Sequence, residues 1–243
     1  MLQQAHKATG ITRIEWILFC TAFAAGAVDI LGFVQLGGVF ASAMTGNFAL
    51  LAYHVAEGNT LSAIGSVISL GGFVTGCVIG FSLRRGRSNR TTINLLLGTE
   101  TVLLLLFAVY ALYAPSAAPA ADRGVQTAFI SGIRLQILIL AVAMGLQAVV
   151  GQMATLSTIV FTTTLTRLVG GITDAIATAD SSALHEVRVQ IALIASYLLG
   201  ALLAGMLAVH KIHAGVFLPL LAVAMAFAAH RFFRANQSQS VQS

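Results

Sequence analysis

The sequence predicts an all-α integral membrane protein, and two observations lead to this prediction. First, 58% of the 243 residues are hydrophobic and only 9% are charged, whereas a soluble domain carries about 25% charged residues. A soluble surface of this composition would lack the charge that keeps it in water. Second, the apolar residues gather into stretches of about 20, the length that a helix needs to cross a bilayer.

Six stretches are long enough to cross the bilayer, and two further apolar pieces lie between them. The pieces at 39–55 and 156–177 contain glycine, asparagine or threonine clusters that interrupt an apolar helix. We therefore expect about six transmembrane helices and two broken or re-entrant pieces. In chain order, the predicted spans are 16–36, 61–83, 92–113, 133–153, 187–209 and 214–233.

The positions of Lys and Arg favour six crossings over eight, because positive residues are retained on the cytoplasmic side of a membrane. With six crossings and a cytoplasmic N-terminus, nine of these residues lie inside and three outside. With eight crossings, the four arginines between 84 and 90 move outside, and the count becomes seven against five. The six-span arrangement predicts that both termini are cytoplasmic.

An offset of about 117 residues relates two halves of the chain. Residues 26–29 (GAVD) parallel 144–147 (MGLQ), and 44–47 (MTGN) parallel 161–164 (FTTT). Three crossings per half would make the halves an inverted repeat, an architecture found in transporters; chance similarity between apolar segments is the alternative. Small residues at every fourth position, which let helices pack closely, also recur as Gly72, Gly76 and Gly80 and as Ser196, Gly200 and Ala204.

A spaced pattern fills the first half: Gly26-Ala27-Val28-Asp29, then Gly32-Phe33, then Met44-Thr45-Gly46-Asn47. This pattern resembles the YoaK-like family of uncharacterised bacterial membrane proteins (domain of unknown function 1275), and the span layout is similar along the whole chain. The family's Thr-Gly-Thr-Leu-Thr is present here at 162–166 as Thr-Thr-Thr-Leu-Thr, without the glycine. The resemblance implies a multi-pass protein of the bacterial inner membrane, and it implies no particular activity.

Two carboxylates lie inside predicted spans. Asp29 is about 20 Å from the start of its span and Glu100 about 12 Å from the start of its own, at 1.5 Å per residue. An ionised carboxylate in this setting costs several kcal/mol unless it is paired, so both are candidate proton-coupling residues. The alternatives are a hydrogen bond from Asp29 to backbone at a helix break and a salt bridge from Glu100 to the arginines at 84–90.

The Met-Thr-Gly-Asn stretch predicts a binding site. Gly46 can break a helix, and the neighbouring polar side chains can then satisfy freed backbone groups or bind a ligand. Because lipid cannot satisfy open backbone, we expect the two broken pieces to meet near the midplane. Arg167 could hold an anion, pair with Asp29 or Glu100, or extend to the interface. The candidate substrate-binding residues are Asp29, Thr45, Gly46, Asn47, Gln147, Thr162 and Thr164.

These patterns favour a small secondary transporter or permease for a small polar solute, with proton coupling as an open option. The alternative is a non-transporting scaffold, sensor or chaperone whose glycine-rich spans bind partner helices; a homodimer is compatible with either function. No hydrolase, zinc-protease or phosphate-loop motif occurs, so we expect neither an enzyme nor a cofactor or metal site. The expected partners are the lipid bilayer and a solute, with no nucleic acid.

The predicted organisation has five parts: a cytoplasmic N-terminal segment, two repeat halves, a Pro/Ala-rich loop between the halves and a disordered Gln/Ser-rich tail. Their predicted bounds are 1–15, 16–113 for the first half, 114–132 for the loop, 133–234 for the second half and 235–243 for the tail.

Overall fold

The computed structural model describes residues 12–113, 123–154, 161–178 and 181–239, and all regular structure in these ranges is helical. Six of the helices are long and apolar enough to cross a membrane, which confirms the predicted class and span number. The helices are α1 Arg13–Gln35, α2 Met44–Glu57, α3 Thr60–Arg84, α4 Asn89–Tyr113, α5 Arg123–Met153, α6 Phe161–Thr178, α7 Ser181–Val209 and α8 Phe217–Gln239, the last preceded by a 3₁₀ turn at His213–Val216.

Two helices extend further than the composition predicts. α5 begins at Arg123, inside the predicted loop 114–132. No proline and no glycine cluster lies between Arg123 and the predicted span at 133, so nothing there ends the helix. α8 continues to Gln239, so residues 235–239 are helical where a disordered tail is predicted, and 240–243 lie outside the described residues. Both differences lengthen helices beyond their apolar segments.

One end of the bundle carries most of the described arginines. Arg13 at the start of α1 donates to the backbone carbonyl of His230 in α8. The His230 ring in turn lies 3.3 Å from the carbonyl oxygen of Arg90, beside the 84–90 loop. We call this the arginine end; the α2–α3 turn at Gly58 lies at the opposite end.

Helix α2 is re-entrant and does not cross the bundle. Residues 36–43, here called the inner loop, fold back along α1, and Asn47 at the start of α2 lies beside Ser69, nine residues into α3. α2 then runs antiparallel to α3 back to the turn at Gly58, whose φ of +74° suits glycine. With 14 residues, α2 is about 21 Å long, well short of a bilayer core of about 30 Å.

The bundle is built around α1 and α5. α1 packs against α7 and α8, while α5 packs against α3 and α4; α1 also touches α5, and α4 touches α8. The two shorter helices lie outside this arrangement, α2 against α3 and α6 against α7.

The predicted meeting of the two broken pieces is wrong. Within the described ranges α2 and α6 make no contact, so Thr45 and Asn47 do not meet Thr164 of α6; the predicted contact with Thr162 falls outside the described side chains. The physical reason is the choice of partner: each short helix packs on the span that follows it, and α3 and α7 contact different central helices.

Glycines permit the closest helix crossings. Gly76 of α3 lies against Val142 and Gly145 of α5, and Gly200 of α7 lies against the backbone of Phe23 in α1. The stripe at 72, 76 and 80 faces α5 along its whole length; in the second stripe Ala204 is fully buried. In lipid, such close approach supplies packing energy that apolar side chains alone do not supply.

We expect Gly76→Ala to destabilise the bundle, whereas Gly71→Ala should not. A β-carbon at Gly76 would lie 2.2 Å from the carbonyl oxygen of Val142, while one at Gly71 would meet no atom within 4 Å. Overpacking of this kind costs about 1–3 kcal/mol, or a fall of several degrees in melting temperature for a chain of this length. Thermal unfolding of the two purified variants in detergent is the measurement, and equal melting temperatures would contradict this packing.

Candidate functional site

Asp29 holds the inner loop through four hydrogen bonds. Its Oδ1 accepts from the backbone N–H groups of Ala41 (3.0 Å) and Ser42 (2.7 Å). Its Oδ2 accepts from the Ser42 hydroxyl (2.6 Å) and from the Tyr197 hydroxyl of α7 (2.9 Å). The carboxylate is buried, and each of its oxygens accepts two hydrogen bonds. Its geometry is therefore that of a backbone cap at a helix break, the structural alternative that the sequence left open.

Asn47 holds the same loop from the other side. Its Oδ1 accepts from the N–H of Phe40 (2.9 Å), and its Nδ2 donates to the Phe40 carbonyl (2.6 Å) and to the Ser69 hydroxyl (3.0 Å). The Ser69 hydroxyl also donates to the Phe40 carbonyl, at 2.6 Å. One amide side chain thus satisfies both polar backbone groups of a partly buried, non-helical residue, as a neighbouring strand would.

The remaining residues of the Met-Thr-Gly-Asn stretch fit this arrangement. A β-carbon at Gly46 would lie 3.0 Å from the Phe40 ring, so glycine lets that ring pack on α2. The Phe40 ring also stacks on Phe33, with 5.3 Å between ring centroids. Thr45 is exposed at the start of α2. The stretch therefore builds the inner loop.

Two buried polar groups in the bundle core keep unused hydrogen-bonding capacity. Glu100 of α4 is fully buried, and within the described ranges neither of its carboxyl oxygens has a hydrogen-bond partner. Gln147 of α5 is also fully buried; its Nε2 donates to the carbonyl of Thr21 at 3.0 Å, and its Oε1 accepts from none of the described residues. The salt bridge from Glu100 to the arginines at 84–90 does not form.

Three of the predicted site residues lie on α6 in the second half of the chain. Thr164 is buried on α6 and Arg167 is exposed there. The side chain of Thr162 lies outside the described residues. Arg167 pairs with neither Asp29 nor Glu100, which removes the pairing role and leaves the other two predicted roles, holding an anion and extending to the interface.

Sequence reasoning missed a polar cluster at the arginine end. Glu15 is buried and completes a capping box with Thr12 at the start of α1. One of its carboxylate oxygens lies 2.9 Å from a ring nitrogen of His185 in α7. Arg13 contacts both the ring and the carbonyl of the buried His230. The capping box was readable from Thr12 and Glu15, but pairs separated by about 170 and 217 residues leave no local pattern.

Metal chemistry has no visible site. Across the ranges that the structure covers, no three His, Cys, Asp or Glu side chains come together as a metal site would require. Cys20 and Cys77 are free thiols, and Cys77 contacts the carbonyl of Gly145 at the α3–α5 crossing.

Comparison with known proteins identifies relatives but no activity. The family model "Protein of unknown function (DUF1275)" matches residues 17–230. The UPF0700 transmembrane protein YoaK of Bacillus subtilis (strain 168) is 28% identical over 159 residues, 63% of this chain and 64% of that protein. The chain thus matches less than two thirds of the length of this curated relative. No solved structure matches the chain.

We expect Asn47→Ala to release the inner loop, because it leaves the N–H of Phe40 without a partner and leaves the Phe40 carbonyl with the Ser69 hydroxyl alone. Each buried group left unsatisfied costs about 1–3 kcal/mol. Asn59→Ala is the matched control, since Asn59 only caps α3 at an exposed position, where the loss is about 1 kcal/mol.

The readout is reaction of Val39→Cys, placed in a background without Cys20 and Cys77, with a water-soluble thiol reagent. Val39 is buried in the inner loop, so Asn47→Ala should speed the reaction and lower the melting temperature more than Asn59→Ala does. Equal reactivity in both backgrounds would show that Asn47 does not hold the loop.

Proposed function

This chain belongs to the DUF1275 family, and from that premise we propose that it is a small secondary transporter or permease for a small polar solute. The observation that carries the proposal is the pairing of helices. α1 packs on α7 and α8 as α5 packs on α3 and α4, and α2 packs on α3 as α6 packs on α7. Exchanging the two halves reproduces the whole pattern. Such repeats are a recurrent transporter architecture.

Individual crossings support the same correspondence. Gly26 of α1 lies against the backbone of Tyr197 and Ala201 in α7, and Gly145 of α5 lies against the backbone of Phe73 and Cys77 in α3. The equivalent of Gly26 is thus Gly145, one residue further along than the sequence alignment of the halves implied. Each span precedes its counterpart by three crossings, which is an odd number, so the halves would be inverted relative to one another.

The site of the proposed transport moves from the broken pieces to the bundle core. Glu100 lies on α4, which packs on α5 and α8 of the second half. A carboxyl that is fully buried without a partner is stable only if it is protonated or bound to a donor or cation. Glu100 is therefore our candidate for proton coupling, and the free Oε1 of Gln147 is a candidate solute contact. Asp29 is a weaker candidate, since four donors already occupy it.

A second function has one observation in its favour. α2 and α6 pack on different outer spans, α3 and α7, and α2 carries exposed apolar side chains such as Phe48 and Tyr53. A scaffold, sensor or chaperone could present these faces to partner helices in the bilayer. Absence of any solute flux would favour this alternative.

We also propose a location in the bacterial inner membrane with both termini in the cytoplasm, because positive residues are retained there. Reporter fusions after Arg87 and after Ser243 should both show cytoplasmic activity, and a fusion after Gly58 should show the opposite. A periplasmic signal at Arg87 would reverse the proposed orientation.

We expect Glu100→Gln to abolish proton-coupled flux. The protein is reconstituted into vesicles that contain a pH-sensitive dye, and amino acids, sugars and small carboxylates are added one at a time. A solute that moves with protons changes the internal pH in wild-type vesicles, and the amide cannot carry the proton, so the response should fall at least about tenfold. A normal response of Glu100→Gln would remove Glu100 from the coupling mechanism.

Glu57→Gln is the matched control, because Glu57 lies at the exposed end of α2 and should leave flux unchanged. Asp29→Asn is a poor test of coupling, since the amide nitrogen cannot accept from the hydroxyls of Ser42 and Tyr197 and the inner loop would be disturbed at the same time.

A further inference from the structure

A cavity of about 150 Å³ opens at the end of the bundle opposite the arginine end. Its walls come from the inner loop and from the first turns of α3 and the outer part of α5, and they are mostly apolar. Arg134 is the charged residue among them, and no acidic side chain contributes to the described lining. The lining includes Leu36, Gly37, Ser62, Ile130, Ile133 and Arg134.

Among the described residues, Arg134 has no counter-charge. It is partly buried, and the described part of the chain gives it no ion pair and no hydrogen bond. The five donors of a guanidinium match the oxygens of a phosphate or carboxylate. Ser62 and Gly37 line the same cavity, and within the described ranges the Ser62 hydroxyl and the Gly37 N–H have no hydrogen-bond partner. Three residues with unused donors therefore border one small space.

The size and position of the cavity restrict its occupant. Sites for drug-sized molecules measure about 300–1,000 Å³, so this cavity accommodates only a small group. Arg134 is the second residue of the predicted span 133–153, so it lies close to the membrane surface, where lipid head groups are found. Leu61 and Leu135 beside it are exposed on the lipid-facing surface, 61% and 45% respectively.

We propose that this cavity binds the phosphate of an anionic membrane lipid, with the guanidinium of Arg134 as the main contact. The Ser62 hydroxyl and the Gly37 N–H donate to the remaining phosphate oxygens. The acyl chains lie along Leu61 and the neighbouring apolar surface of α5. Basic pockets between transmembrane helices are known to hold such head groups on the cytoplasmic side, and this cavity would offer the same contact to the opposite leaflet. The proposal does not depend on transport.

Lipid-dependent thermal stability tests it. Full-length protein in detergent is titrated with phosphatidylglycerol, phosphatidylcholine or inorganic phosphate, and the melting temperature is followed. A ligand that binds the folded state raises this temperature with its concentration. We expect phosphatidylglycerol to act at the lowest concentration. Arg134→Gln should need about tenfold more of it for the same shift, because a charge-assisted contact is lost.

Arg85→Gln is the matched control, since Arg85 is exposed at the arginine end and should respond as the wild type does. Arg134→Lys should need less lipid than Arg134→Gln, because it keeps the charge without the planar donors. If Arg134→Gln does not fold, lipid retention by Arg134→Lys and wild type is compared by native mass spectrometry, where equal retention overturns the proposal.

Three other results would also overturn it. Equal titrations for wild type and Arg134→Gln would exclude Arg134 as the contact. Equal potency of phosphatidylcholine would exclude selection of an anionic lipid. Stabilisation by inorganic phosphate at the same concentration, dependent on Arg134, would make the ligand a soluble anion.

Discussion

The structure depends on one constraint: hydrocarbon offers no partner to a backbone N–H or carbonyl, so the protein must supply every partner itself. Helices meet this requirement internally, and the inner loop at 36–43 does not. The polar backbone groups in its second half are satisfied by side chains that reach it from two helices: Asp29 accepts from Ala41 and Ser42, and Asn47 bonds Phe40. Two polar residues in an apolar region are thereby explained as the condition for a break in the helix.

The glycines express a related constraint on helix packing. With lipid on one side and protein on the other, apolar side chains gain little by choosing protein, so association relies on close backbone approach. Gly26 and Gly145 permit such approach on the two central helices, and Gly76 and Gly200 permit it on their partners. Each central helix of this DUF1275 protein consequently packs most closely on a span from the other half of the chain.

Local patterns predicted the fold well because the bilayer itself is a local constraint. Span length and the distribution of arginines were enough for six crossings and a re-entrant α2. The candidate site was harder to predict, since the role of Asp29 depends on donors 12, 13 and 168 residues away. The position of Asp29 inside a predicted span indicated that its carboxylate needs partners. Only the structure shows that these partners are backbone N–H groups and hydroxyls. The same limitation explains the error over α2 and α6: each needed a protein surface, and the sequence did not say which.

The two side chains that hold the inner loop belong to different pairs of packed helices. Asp29 lies on α1, and its oxygen also receives the hydroxyl of Tyr197 from α7, so Ala41 and Ser42 follow the α1–α7 pair. Asn47 and Ser69 lie on α2 and α3, so Phe40 follows the α3–α5 pair. Within the inner loop, the change from one pair to the other therefore falls between Phe40 and Ala41. The peptide bond that joins them is planar, so any sliding of one pair against the other would be taken up by the backbone torsions on either side of it, ψ of Phe40 and φ of Ala41.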